Sequence, residues 1–263
     1  MHAEVRRAID RLKEQESLSG MDPFGFRPEG LEAVLPVTHF LYRTWFRVSC
    51  HDIDRVPAGR VLLISNHSGQ LPFDGAMIGT AMILEHDPPR VPRSMIERFV
   101  PTVPFVSTLF ARAGQIVGTR ANAQRLLDEG NAVLVFPEGS RGISKTIFKR
   151  YQLERFGLGF MRLALQTGTP IVPIAVVGAE EQIPSVHNAQ KLARLLNAPA
   201  APLSPTLLFP LPVKYRIYFG EPLRFVGDPD DEDRIIGAKV REVTRSIETM
   251  IARGLAERRG LFH

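Results

Sequence analysis

The sequence is short of the features that lock or anchor a chain from outside. It holds one cysteine in 263 residues, Cys50, so an internal disulfide is excluded and a reducing compartment is expected. No stretch reaches the roughly 18 to 20 uninterrupted apolar residues that a spanning helix needs. The opening MHAEVRRAIDRLKEQES is charged throughout and lacks the apolar centre of a signal peptide. These absences predict a protein that is soluble or lies on a membrane without crossing it. Several catalytic signatures are missing too. Without a G-x-S-x-G elbow, a serine hydrolase of the α/β type is disfavoured. Neither an H-E-x-x-H nor a paired-cysteine spacing offers a metal site. Repeats are absent as well.

What is present is ordinary globular composition, 44% hydrophobic and 23% charged, enough to build a self-supporting core. The net charge of +5 permits nucleic acid, an anionic membrane surface or a phosphate-bearing substrate. No nucleic-acid-binding motif accompanies it, so that partner is not expected. Val5, Ile9 and Leu12 recur at helical spacing and predict a short amphipathic helix ending near Ser19-Gly20. Residues 31–48 form a second helical stripe in which arginines mix with aromatics. It suits either a lipid interface or packing on the core, and Pro36 is a candidate start for that helix. From residue 60 onward strands alternate with helices. Strands are predicted at 60–65, 114–118, 132–136, 171–177 and 213–219. Helices are predicted at 74–84, 121–129 (capped by Thr119 and stopped at Gly130), 157–166 and 231–256. This order predicts an α/β fold with a mixed, largely parallel central sheet flanked by helices. The N-terminal amphipathic helices would pack on it or on a membrane. The expected division is an N-terminal helical segment, 1–56, and an α/β domain, 57–263. The Pro-rich but apolar stretch 197–213 reads as a loop clinging to the core or bordering a greasy ligand.

Three polar stretches leave predicted strands, where ligands usually meet an α/β sheet. They are Asn66-His67 with Asp74, GQIVGTR (114–120) and FPEGSRG (136–142). A histidine with a carboxylate partner is a general-base arrangement. The imidazole takes a proton through one nitrogen while the aspartate holds the other N–H and fixes the tautomer. A polar loop that happens to contain both residues is the bland alternative. No nucleophile accompanies them, so His67 as a base would most simply activate a hydroxyl of the substrate. In FPEGSRG, Gly139 allows a tight backbone approach and Arg141 offers a fork suited to phosphate. Arg120 is a second candidate phosphate contact. Pairing of Glu138 with Arg141 on a loop surface is the structural alternative. Lys145, Lys149, Arg150 and Arg155 would draw in an anion or form a solvated charged face. The acids of AEEQIP (179–184) receive no role, and those of HDID (51–54) and EHD (85–87) read as surface turns.

The ordered set N-H…D, G-x-I-x-x-x-R, F-P-E-G-S-R and T-G-T-P-I-V-P-I-A resembles the glycerolipid acyltransferase superfamily, which contains the 1-acylglycerol-3-phosphate acyltransferases. The four blocks occur in that family's order across residues 61–180. The resemblance implies an O-acyltransferase acting at the cytoplasmic face of a membrane, on which it would be peripheral. The acyl donor would be acyl-CoA or acyl-carrier protein, used as a substrate, with no metal and no cofactor. The acceptor would be a glycerolipid hydroxyl such as that of lysophosphatidic acid. It implies His67 as base and Asp74 as its orienter. Arg120 and Arg141 would hold the acceptor's phosphate, in a pocket shaped by Glu138, Gly139 and Ser140. One feature departs from the family. Six residues separate His67 from Asp74 where the usual motif has four, so the intervening loop must bulge to return Asp74 to the ring. That departure keeps open a neutral acceptor, such as diacylglycerol or a long-chain alcohol, and a non-catalytic lipid-binding relative.

Overall fold

The computed structural model describes residues 2–15, 22–67, 71–96, 110, 113–143, 145–188, 202–207 and 209–263. It opens with helix α1 (Ala3–Lys13), a 3-10 turn at Pro28–Gly30, helix α2 (Leu31–Phe40) and a π-helical turn at Leu41–Trp45. Strands β1 (Ser49–His51) and β2 (Val61–Ser65), helix α3 (Phe73–Leu84) and strands β3 (Arg93–Ile96) and β4 (Ile116–Val117) follow. Next come α4 (Arg120–Asp128), β5 (Ala132–Val135), the single turn α5 (Ser140–Ile143), α6 (Gly159–Thr167) and β6 (Ile171–Val177). The chain ends with the turn α7 (Ala179–Gln182), the small pair β7 (His187–Asn188) and β8 (Pro202–Leu203), β9 (Arg216–Phe219) and the long α8 (Asp233–Glu257).

Seven strands form one sheet in the order β1-β9-β6-β2-β5-β3-β4. The five from β6 to β4 are mutually parallel. β9 runs antiparallel to β6, and β1 is parallel to β9. This is the expected mixed, largely parallel α/β sheet. Its central strands read as continuous apolar runs because both faces are covered. Leu62 and Ile64 of β2 join α4, α6 and α8 on one face. Val61 and Leu63 join α3 and the buried aromatics Tyr42 and Phe46 on the other. A third cluster, built from Val5, Ile9, Leu12, Leu31 and Leu35, seats α1 and α2 against Ile83 of α3.

Several expectations need correcting. The first helix stops at Lys13 instead of running to Ser19-Gly20, which lies outside the described residues. α2 begins at Leu31 and runs through Pro36, because the 3-10 turn at Pro28–Gly30 already supplies the helical start. At Pro36 it forgoes one backbone bond. β1 and β3 were not expected. β1 precedes residue 56, so the proposed N-terminal segment contributes a strand to the same sheet. Of the Pro-rich stretch, 197–201 and 208 lie outside the described residues. Leu207 and Phe209 are exposed, while Val213 is buried in the core; Phe209 meets Trp45 edge-on at 5.7 Å, and the Trp45 indole donates to the carbonyl of Pro210 at 3.2 Å.

Candidate active site

The sheet order brings the site together. β2 lies between β6 and β5, and all three run parallel, so the residues after each strand meet at one edge. Asn66 and His67 leave β2, the FPEGSRG block leaves β5, and Gly178 to Gln182 leave β6. Asn66 is fully buried and extends β2 with its side chain. Its amide N–H donates to the carbonyl of Val176 at 3.1 Å, and its amide oxygen accepts the Val176 N–H at 2.8 Å. That pair of hydrogen bonds fixes the point at which the chain turns outward to His67.

His67 Nδ1 lies 2.7 Å from Oδ2 of Asp74, so the six-residue gap still closes. Asp74 is fully buried in the first turn of α3, and its other oxygen accepts the Gly75 N–H at 2.7 Å. The His67 ring stacks on Phe136 with centroids 4.3 Å apart. Gly142 presses on the same group: a Cβ there would stand 2.9 Å from His67 Cβ and 3.0 Å from Glu138 Cβ, so no larger residue fits without a shift. Burial pushes the His67 pKa down, but the charge and hydrogen bond of Asp74, with the charge of Glu138, more than offset it. The pKa lies above the ordinary 6.5. With Nδ1 on the carboxylate, Nε2 is the nitrogen that can take a substrate proton.

Glu138 lies behind the histidine. It is 1% exposed. One oxygen accepts the backbone N–H of His67 at 2.8 Å. The other accepts that of Glu154 at 2.8 Å and stands 3.2 Å from Lys145 Nζ. Gly139 takes a left-handed φ of +58° at the turn, and Ser140 opens α5. Arg141 lies at the exposed rim, its guanidinium donating to the carbonyls of Glu138 at 3.4 Å and Arg155 at 2.8 Å. Arg120 sits on the exposed first turn of α4 and donates to Gln166 of α6, at 3.2 and 2.6 Å. No described contact joins it to His67, Asp74 or Glu138. The geometry thus unites His67, Asp74, Phe136 and Glu138, sets Arg141 one turn beyond Glu138, and leaves Arg120 on the α4–α6 surface. Cys50 lies on the edge strand β1, away from His67, and burial, then the charge of Glu85, pushes its thiol above the usual range.

Two charged residues that the sequence placed elsewhere belong here. Lys145, grouped with residues that would draw in an anion or form a solvated charged face, is buried, with its side chain 4% exposed. Glu180, given no role, is its second partner at 3.0 Å. The signal was available. Two adjacent acids, Glu180 and Glu181, follow the wholly apolar β6 after only two intervening residues and so stay at the buried end of a central strand, where a carboxylate needs a cation.

Comparison with known proteins bears on the family and the fold. The sequence pattern of the family described as Acyltransferase matches residues 47–177, from the residues before β1 to the end of β6, and takes in all four blocks. An uncharacterised protein of Mycobacterium leprae is 37% identical over 255 residues, covering 92% of this chain and 70% of that protein. One from Mycobacterium tuberculosis is 36% identical, with 92% and 71% covered. The chain belongs to the acyltransferase family. A probable 1-acyl-sn-glycerol-3-phosphate acyltransferase of Mycoplasma pneumoniae is 27% identical to this acyltransferase over 163 residues, 59% of this chain and 58% of that protein. The fold matches that of the 1-acyl-sn-glycerophosphate (LPA) acyltransferase PlsC from Thermotoga maritima. The TM-score is 0.58 at 17% identity, over 98% of this chain and 91% of that one.

Proposed function

We propose that this acyltransferase moves a fatty acyl group from a thioester, acyl-CoA or acyl-carrier protein, to a hydroxyl of a glycerolipid of the lysophosphatidic acid type. His67 Nε2 takes the acceptor's hydroxyl proton as that oxygen attacks the thioester carbonyl. Asp74 holds Nδ1–H and stabilises the imidazolium. Collapse of the tetrahedral adduct breaks the C–S bond, and the departing thiolate takes the proton back from His67. An ester and a free thiol result, with no acyl-enzyme. The observation that carries this reading is the 2.7 Å contact between His67 and the buried Asp74. It also removes the motive for a non-catalytic relative, which was the widened gap. Arg141, at the rim, would meet the acceptor's phosphate. Arg120 would join only by giving up Gln166.

A second reading is favoured by the two carbonyls that already occupy Arg141. If the guanidinium only braces the loop, the acceptor is a neutral alcohol. Purified protein given labelled acyl donors and a mixed panel of lysophospholipids, diacylglycerol and long-chain alcohols tests both, with products identified by mass spectrometry. The first reading predicts a phosphate-bearing product and an acceptor KM that rises about tenfold or more in Arg141→Ala. An unchanged KM with a neutral product selects the second.

We place this activity at a membrane surface. Among the described residues no helix is long and apolar enough to cross a membrane. Val37 and Phe40 are 60% and 50% exposed on the segment that carries Trp45. Phe209, which packs on that indole, is 64% exposed. Apolar side chains beside arginines suit an interfacial contact.

A further inference from the structure

We infer that Lys145 and Glu180 are positioning residues for acyl transfer: through Glu138 they hold the backbone of His67, and with it the ring, in the register that the reaction needs. This inference rests on His67 being the base. A lysine ammonium has three donors, and those of Lys145 have three partners: Glu138 at 3.2 Å, Glu180 at 3.0 Å and the carbonyl of Gln152 at 3.2 Å. The second oxygen of Glu180 accepts the Tyr151 N–H at 2.8 Å. The connected groups are therefore Glu138 after β5, His67 after β2 and Glu180 after β6. Lys145 ties the two flanking strand ends to each other, and Glu138 ties them to the base.

Stability alone is a poor reason for this arrangement. A buried ion triad gains little over apolar side chains of similar volume, while loss of one member leaves a buried charge unpaired. Placement points to catalysis instead, because one arm of the triad ends on the N–H of the base itself. The charges bear on the ring as well. Among the described residues, the charges that act on His67 include Asp74 from α3, Glu138 from the turn after β5, and Lys145 from the loop after α5. The first two favour its proton and Lys145 opposes it. Lys145 keeps its charge: burial lowers its pKa, but Glu180 and Glu138 raise it above the ordinary 10.5.

The test compares Lys145→Met, Lys145→Arg and Glu180→Gln with wild type. Readouts are kcat, acceptor KM and an NMR titration of the His67 ring, identified by its absence in His67→Ala. Lys145→Met is expected to lower kcat about 10- to 100-fold, the scale of a misplaced reacting group, with acceptor KM within about twofold. Its His67 ring should titrate at higher pH, since an opposing cation has gone. Lys145→Arg should recover most of the rate, and Glu180→Gln should lose rate without a change in KM. A folded Lys145→Met with wild-type kcat and an unmoved ring titration overturns the inference. If Lys145→Met does not fold, the other two variants decide. Rate loss at constant KM in Glu180→Gln supports it, and wild-type behaviour of both overturns it. The base assignment fails separately, by transfer that survives in His67→Ala. The ring titration reports the Lys145 coupling whether or not turnover depends on His67.

Discussion

His67 and Asp74 are joined because Asp74 sits at the start of a helix, not because they are near in sequence. The first turn of α3 presents the carboxylate where the helix N-terminus favours negative charge, and the Gly75 N–H secures it. The pair raises the His67 pKa, and a base must be neutral to act. The acid limb of kcat/KM should therefore lie above the ordinary histidine value of 6.5, with activity lost as pH falls through it. Asp74→Asn removes the charge and supports the wrong tautomer. It should lower kcat by about 10²- to 10⁴-fold and move the limb to lower pH, as read from a pH–rate profile. A limb that stays in place would separate Asp74 from the titrating group. The pairing of His67 with Asp74 was readable from residue types and order. The surroundings of Glu138 were not, because a charged residue in a motif looks the same in sequence whether it faces solvent or a buried lysine.

At the scale of elements, the long and strongly patterned pieces were legible and the short ones were not. β2, β5 and β6 appear as apolar runs because both faces of the sheet are covered, and α8 repeats apolar residues at Ile236, Val240, Val243, Ile247 and Ile251. β1 is three residues long and follows directly on a helical segment. β3 begins with Arg93, a buried charge that spoils the apolar pattern and is held by the carbonyl of Gly114 and the carboxylate of Asp22. Their existence depends on partners distant in sequence, which no local pattern records. Asn66 belongs to the same class, since its role is set by Val176, 110 residues later. Asn66→Ala leaves a buried N–H and C=O of Val176 without those partners. It should cost about 2 to 4 kcal/mol, measured as a lower denaturant midpoint. An unchanged midpoint would show that the strand end does not depend on Asn66.

Across the whole molecule, the N-terminal helices serve the core first. Leu31, Leu35, Tyr42 and Phe46 are buried, which answers to the packing side of the two readings of residues 31–48. Val37 and Phe40 remain outward and carry the proposed membrane contact. Replacing both with Glu should weaken co-sedimentation with anionic lipid vesicles about tenfold while leaving the melting temperature within a few degrees. Equal binding by the two proteins would move that contact elsewhere. The central claim is acyl transfer with His67 as base. It is tested most directly by the initial rate of product formation from a labelled acyl donor and lysophosphatidic acid, compared between wild type and His67→Ala, both shown to be folded. A fall of at least about 10²-fold is predicted. A His67→Ala rate equal to wild type would contradict the account.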